Sequence, residues 1–116
     1  MSDSSFDVNV LRDDARLIRT GSALDNSNAD QFASLLTDLH GSDIRYIIID
    51  MTNLEFLSSA GVGSILGTVE LFRERKGDIV LTGVGEKILH VLNVLDLTEY
   101  LTLRSTTQEA TVHCGL

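Results

Sequence analysis

Ile47, Ile48 and Ile49 follow one another between Tyr46 and Asp50. Successive side chains of a strand point to opposite faces, so a strand made of these residues carries large apolar groups on both sides and needs cover on both. A sheet with one face in water would strand either Ile48 or its two neighbours there. The run from Ile44 to Asp50 therefore predicts the central strand of a layered α/β fold. "DIVLTG" from Asp78 reads as a second strand of this kind and "EYLTLR" as a last one. "FDVNVL", the turn-like "RDDA" and the apolar run from Arg16 to Arg19 read as an opening pair.

Between these strands the apolar period changes. Phe32, Leu35, Leu36 and Leu39 recur at helical spacing after the polar "NSN" and before Gly41, which predicts a helix from Ala29 to His40. Val62, Ile65, Leu66, Val69 and Phe72 predict a second helix over Ala60 to Lys76, closed by Gly77. "EKILHVLNVL" reads as a short amphipathic helix and "TTQEATVH" as a terminal one. Strands alternating with helices imply a mixed, mostly parallel sheet with helices packed against it, its first strands joining antiparallel. At 116 residues the chain has the size of one domain, predicted to span residues 1–116.

The formal net charge of −8 excludes a function built on phosphate-backbone contacts, which require clustered Lys and Arg. No nucleic-acid partner is expected. The "RERK" segment at Arg73 to Lys76 places cations at a helix C-terminus, where the dipole favours them. The single cysteine, Cys114, allows no intramolecular disulfide. The start "MSDSSFDVNV" is polar and acidic where a secretory signal would be basic and then apolar, and no window has the length of a membrane span. A cytoplasmic location without a membrane span is expected. His40, His90 and His113 show no triad or metal spacing, and no Gly-x-Ser-x-Gly elbow or Gly-Lys-Ser/Thr phosphate loop is present. The chain is read as having no catalytic residues, no cofactor and no metal.

Two serines, Ser58 and Ser59, stand directly before the second helix. Ser59 is the expected N-cap, a role that contributes about 1 kcal/mol. On a helical wheel the arc away from the sheet carries Ala60, Gly63, Ser64, Gly67 and Thr68, with Leu71 among them, where a surface helix would carry charged residues. Each glycine weakens the helix by about 1 kcal/mol relative to alanine. Either these small residues pack closely against another segment of the chain, or they form a flat neutral surface for another protein. A serine at a helix start beside such a surface is a cap, a nucleophile or a substrate for modification. Without an elbow or a partner base, modification fits best.

At these residues the sequence resembles the STAS domain family of the anti-sigma factor antagonist type. The resemblance rests on "IIIDMTNLEFLSSAGVGSIL" and "GDIVLTGVGEKILHVLNVLDLTEYLTL", within Asp43 to Leu103, and extends to "GSALDNSNADQF" near the N-terminus. It implies that Ser59 is phosphorylated by a partner serine kinase that is also the anti-sigma factor. The position before it is often aspartate in the family and is Ser58 here, an alternative acceptor. Asp25 matches an aspartate implicated in kinase recognition, in a "GSALD" segment one residue longer than the family's common form. Gly61, Gly63, Ser64, Gly67 and Leu71 complete the implied partner surface. The unphosphorylated chain would bind the kinase and free a sigma factor; phosphorylation would end the binding and a PP2C-like phosphatase would restore it. A non-switching scaffold, a subunit associated with a lipid transporter, and a hydrolase with Ser59 as nucleophile are the competing readings. The small face serves a homodimer as readily as a heterocomplex, so the oligomeric state stays open.

Overall fold

The computed structural model describes residues 6–116; Met1–Ser5, part of the N-terminus on which the expectation of no secretory signal rests, lie outside the described residues. A five-stranded sheet runs in the order β1-β2-β4-β6-β7, with β1 at Asp7–Arg12, β2 at Ala15–Arg19, β4 at Tyr46–Asp50, β6 at Asp78–Thr82 and β7 at Thr102–Arg104. β1 joins β2 antiparallel, and every other neighbouring pair is parallel. The expected mixed, mostly parallel sheet is therefore present, with the antiparallel pair at the start of the chain.

The isoleucines divide as the pleat requires. Ile47 and Ile49 enter a large core with Phe32, Leu36, Ile65, Val69, Phe72, Ile88 and Leu92, from helices α1 (Ala29–Gly41), α2 (Ser59–Glu74) and α3 (Glu86–Val94). Ile48 faces the other way, into a small core with Leu17, Val80, Ala110 and Cys114 under helix α4 (Thr107–His113). All three are fully buried, which contributes about 1.5–3 kcal/mol per side chain.

The C-terminus of α2 departs from expectation. The helix stops at Glu74, and the left-handed position is held by Lys76, at φ 66°, instead of Gly77. The Gly77 N–H still closes the turn on the Phe72 carbonyl at 2.9 Å. Glycine is needed there for room: a Cβ would lie 1.8 Å from the Arg45 carbonyl oxygen. Arg73, expected to serve the helix terminus, also reaches across to Asp78 at 3.0 Å.

Candidate functional site

A second, two-stranded sheet builds the region around the paired serines. β3 (Ala23–Leu24) runs parallel to β5 (Phe56–Leu57), with Leu24 opposite Leu57. The Ser22 carbonyl accepts from the amides of Glu55 (2.7 Å) and Phe56 (3.0 Å), and the Leu24 carbonyl accepts from the amide of Ser58 at 3.0 Å. Asp25 follows Leu24 as Ser58 follows Leu57, so the ladder sets Asp25 alongside Ser58. Neither strand is in the sequence expectation, because two residues are too few to show a period of two.

Asp25 is half-buried and organises its own turn. Its Oδ1 accepts from the hydroxyl of Ser27 at 2.6 Å and from the Ser27 amide at 2.9 Å, bonds that hold its pKa below the usual carboxylate range. Its backbone amide donates to Asn28 Oδ1 at 3.0 Å, and its carbonyl accepts from Ala29 at the start of α1. The turn role weighed for this residue is thus part of its geometry.

The two serines exchange the cap. Ser58 is the N-cap: its backbone is extended (φ −90°, ψ 171°) and its Oγ accepts from the Gly61 amide at 3.2 Å. Ser59, expected as the cap, is the first residue of α2. A cap side chain must fold back over the first turn from non-helical backbone, which the residue tied to Leu24 has and the next does not. Aspartate and serine are both favoured caps, so a Ser at position 58 in place of the family's common Asp keeps this function. Ser59 is exposed, and no hydrogen bond to its hydroxyl forms among the described residues.

The surface expected along α2 divides in two. Gly63 and Gly67 are exposed, and a Cβ on either would meet nothing within 4 Å. Leu71 is half-exposed beside them. Gly61 and Ser64 are corrections, since both are buried. A Cβ at Gly61 would lie 2.4 Å from the Leu24 carbonyl oxygen, so this glycine admits β3. Ser64 Oγ donates to the Gly61 carbonyl at 2.6 Å, and the buried Thr68 hydroxyl likewise turns back to Ser64 at 3.1 Å. The buried small residues thus make room for β3 or bond the backbone of α2 itself, whereas a side chain at Gly63 or Gly67 would enter open space.

Beside Ser59 lies a groove of about 290 Å³ lined by Ser59, Val62, Gly63, Leu66, Leu95 and Leu97. Leu95, Leu97 and the exposed Phe56, whose ring carries the Lys87 ammonium at 5.2 Å, are absent from the sequence-predicted site. "LNVLDL" carries no signal of which leucine faces α2. His40 packs edge-on against Phe72, His113 bonds Asp78 and Arg104, and His90 lines a neighbouring groove with Glu55, Phe56 and Leu57. Among the described residues no group of three metal-ligating side chains forms, and no helix is long and apolar enough to cross a membrane.

Comparison with known proteins adds the context. Residues 8–110 match the family model described as the STAS domain. The chain is 20% identical over 91 residues to the anti-sigma-B factor antagonist of Staphylococcus aureus strain NCTC 8325, covering 78% of this chain and 84% of that one. Its fold is similar to that of the anti-sigma factor antagonist SpoIIAA in its unphosphorylated form, with TM-score 0.83, 19% identity and coverage of 96% and 97%. It is also similar to a sulfate transporter family protein from Wolinella succinogenes, with TM-score 0.77, 16% identity and coverage of 92% and 89%.

Proposed function

The chain belongs to the STAS domain family, and from that premise we propose that it is an anti-sigma factor antagonist switched by phosphorylation of Ser59. Unphosphorylated, it binds an anti-sigma factor serine kinase and so releases a sigma factor; phosphorylated, it lets the kinase go, and a PP2C-like phosphatase resets it. The observation that carries the reading is the free Ser59 hydroxyl, exposed at the first turn of α2 beside the open Gly63 and Gly67. Ser58 is the weaker acceptor because its oxygen is engaged at the cap. A serine nucleophile would need a base bonded to it, and a kinase substrate needs only access.

Within the domain a phosphate at Ser59 meets the amides and positive dipole of the α2 N-terminus, an effect of about 0.3–1 kcal/mol in its favour. At an interface shaped around a hydroxyl, the same dianion is buried without a partner, at a cost of several kcal/mol. The second effect is larger, so the modification acts on the complex. The test is incubation of the chain with ATP and the anti-sigma serine kinase of its organism. Phosphate is expected on Ser59, and Ser59→Ala is expected to bind constitutively. A chain that binds and gains no phosphate is a scaffold, and labelling of Ser59 by a fluorophosphonate probe would make it a hydrolase; either overturns the switch.

A further inference from the structure

A groove of about 530 Å³ lies between β5 and α3 and shares no lining residue with the groove beside Ser59. Its volume is within the range of small-molecule sites, which combine apolar walls with a few polar groups that orient the ligand. The walls follow from the two elements. Ile88 turns into the core with Leu92 and leaves the half-buried Val91 along the edge of α3, opposite Leu57 and Phe56 of β5. Phe56 is 60% exposed, an aromatic ring that the fold does not cover.

The polar groups of the lining are charged or aromatic-seeking. The Lys87 ammonium stands 5.2 Å from the centroid of the Phe56 ring, so this ring already receives a cation through the negative face of its π-system. Glu55 and Glu86 bring two carboxylates against that one ammonium. Among the described residues neither carboxylate, nor the His90 ring one turn beyond Glu86, makes a hydrogen bond or an ion pair. A phosphate or carboxylate ligand would meet repulsion here, reinforced by the net charge of −8, and a neutral one would leave the carboxylates unused. A cation with an apolar body matches the walls, the ring and the carboxylates together.

We propose that the groove between β5 and α3 binds a small organic cation, an apolar or aromatic body carrying one ammonium group. The ammonium takes the place of Lys87 on the Phe56 ring, with Glu55 and Glu86 as its counter-charges. Lys87 is exposed on a flexible stem and is free to swing into water when displaced. This site is separate from the switch proposed for Ser59, and neither depends on the other.

The experiment follows the backbone amides of the full chain by NMR during titration with phenethylammonium, with neutral phenethyl alcohol and with anionic phenylpropionate. Saturable shifts at Leu57, Ile88 and Val91 are expected, with phenethylammonium at least about fivefold tighter than the alcohol and the anion weakest. Phe56→Leu keeps an apolar wall without the ring; it is expected to weaken the ammonium by about threefold or more and to leave the alcohol unchanged. Replacing both carboxylates, Glu55→Gln with Glu86→Gln, is expected to weaken the ammonium by about fivefold and to flatten its salt dependence. Lys87→Gln removes the competitor and is expected to tighten binding about twofold. Val112→Ala, on α4 and 72% exposed, is expected to change nothing. Absence of a saturable shift overturns the site, and the alcohol or the anion binding as tightly as the ammonium overturns its selectivity for cations. Affinity unchanged in Phe56→Leu or in the double glutamine variant overturns the assigned contacts, and weaker binding in Lys87→Gln overturns the displacement.

Discussion

Along α2, Gly61 and Gly67 have the same side chain for opposite reasons. A Cβ at Gly61 would press on the Leu24 carbonyl oxygen at 2.4 Å, whereas one at Gly67 would find open space. The inner glycine stabilises the fold because nothing else fits beneath β3. The outer one, like Gly63, costs about 1 kcal/mol of helix stability relative to alanine, and no contact within the molecule offsets that loss. On the function proposed above, these open positions belong to the kinase interface.

Gly61→Ala is expected to lower stability by about 3 kcal/mol in denaturant titration, since the clash is with backbone and neither strand can yield cheaply. A variant as stable as the wild type would show that β3 does not constrain α2. On the outer side the expected losses are in binding. Phosphorylation of Ser59 is expected to weaken kinase affinity at least a hundredfold, about 2.7 kcal/mol, while the melting temperature does not fall. Gly67→Arg is expected to abolish the complex in a folded chain, because a bulky cation there cannot be desolvated cheaply. A fall of many degrees on phosphorylation would mean that the switch works through folding.

Smaller effects sharpen the contrast between cap and acceptor. Ser58→Ala is expected to cost about 1 kcal/mol of stability and to leave phosphorylation at Ser59 intact, as mass mapping would show. Gly67→Ala is expected to raise stability by up to about 1 kcal/mol, read from the urea midpoint. Asp25→Asn should change the melting temperature least and lower the rate of phosphorylation. Because the Ser27 bonds depress the Asp25 pKa, their contribution is present above the unfolded value of about 3.9 and is lost as pH falls through the lower folded value. A large loss of stability in Asp25→Asn with normal phosphorylation would assign this residue to the turn alone.

The layered sheet, the order of its main elements and the place of the serines are legible in the amino-acid sequence. Ile47, Ile48 and Ile49 demand cover on two faces wherever they sit, and the spacing of Val62, Ile65, Val69 and Phe72 orients α2 whatever it packs against. Those are properties of neighbouring residues, written in their period. Tertiary structure alone decided which serine caps, which glycines are open and which leucines flank Ser59. Ser58 is the cap because its amide is bound to Leu24, Gly61 is closed by that same carbonyl, and Gly77 is fixed by Arg45. Leu95 and Leu97 meet Ser59 because the end of α3 returns to the start of α2. In each case the deciding atom belongs to a segment distant in sequence, and the identity of a residue carries no record of which backbone will be folded against it.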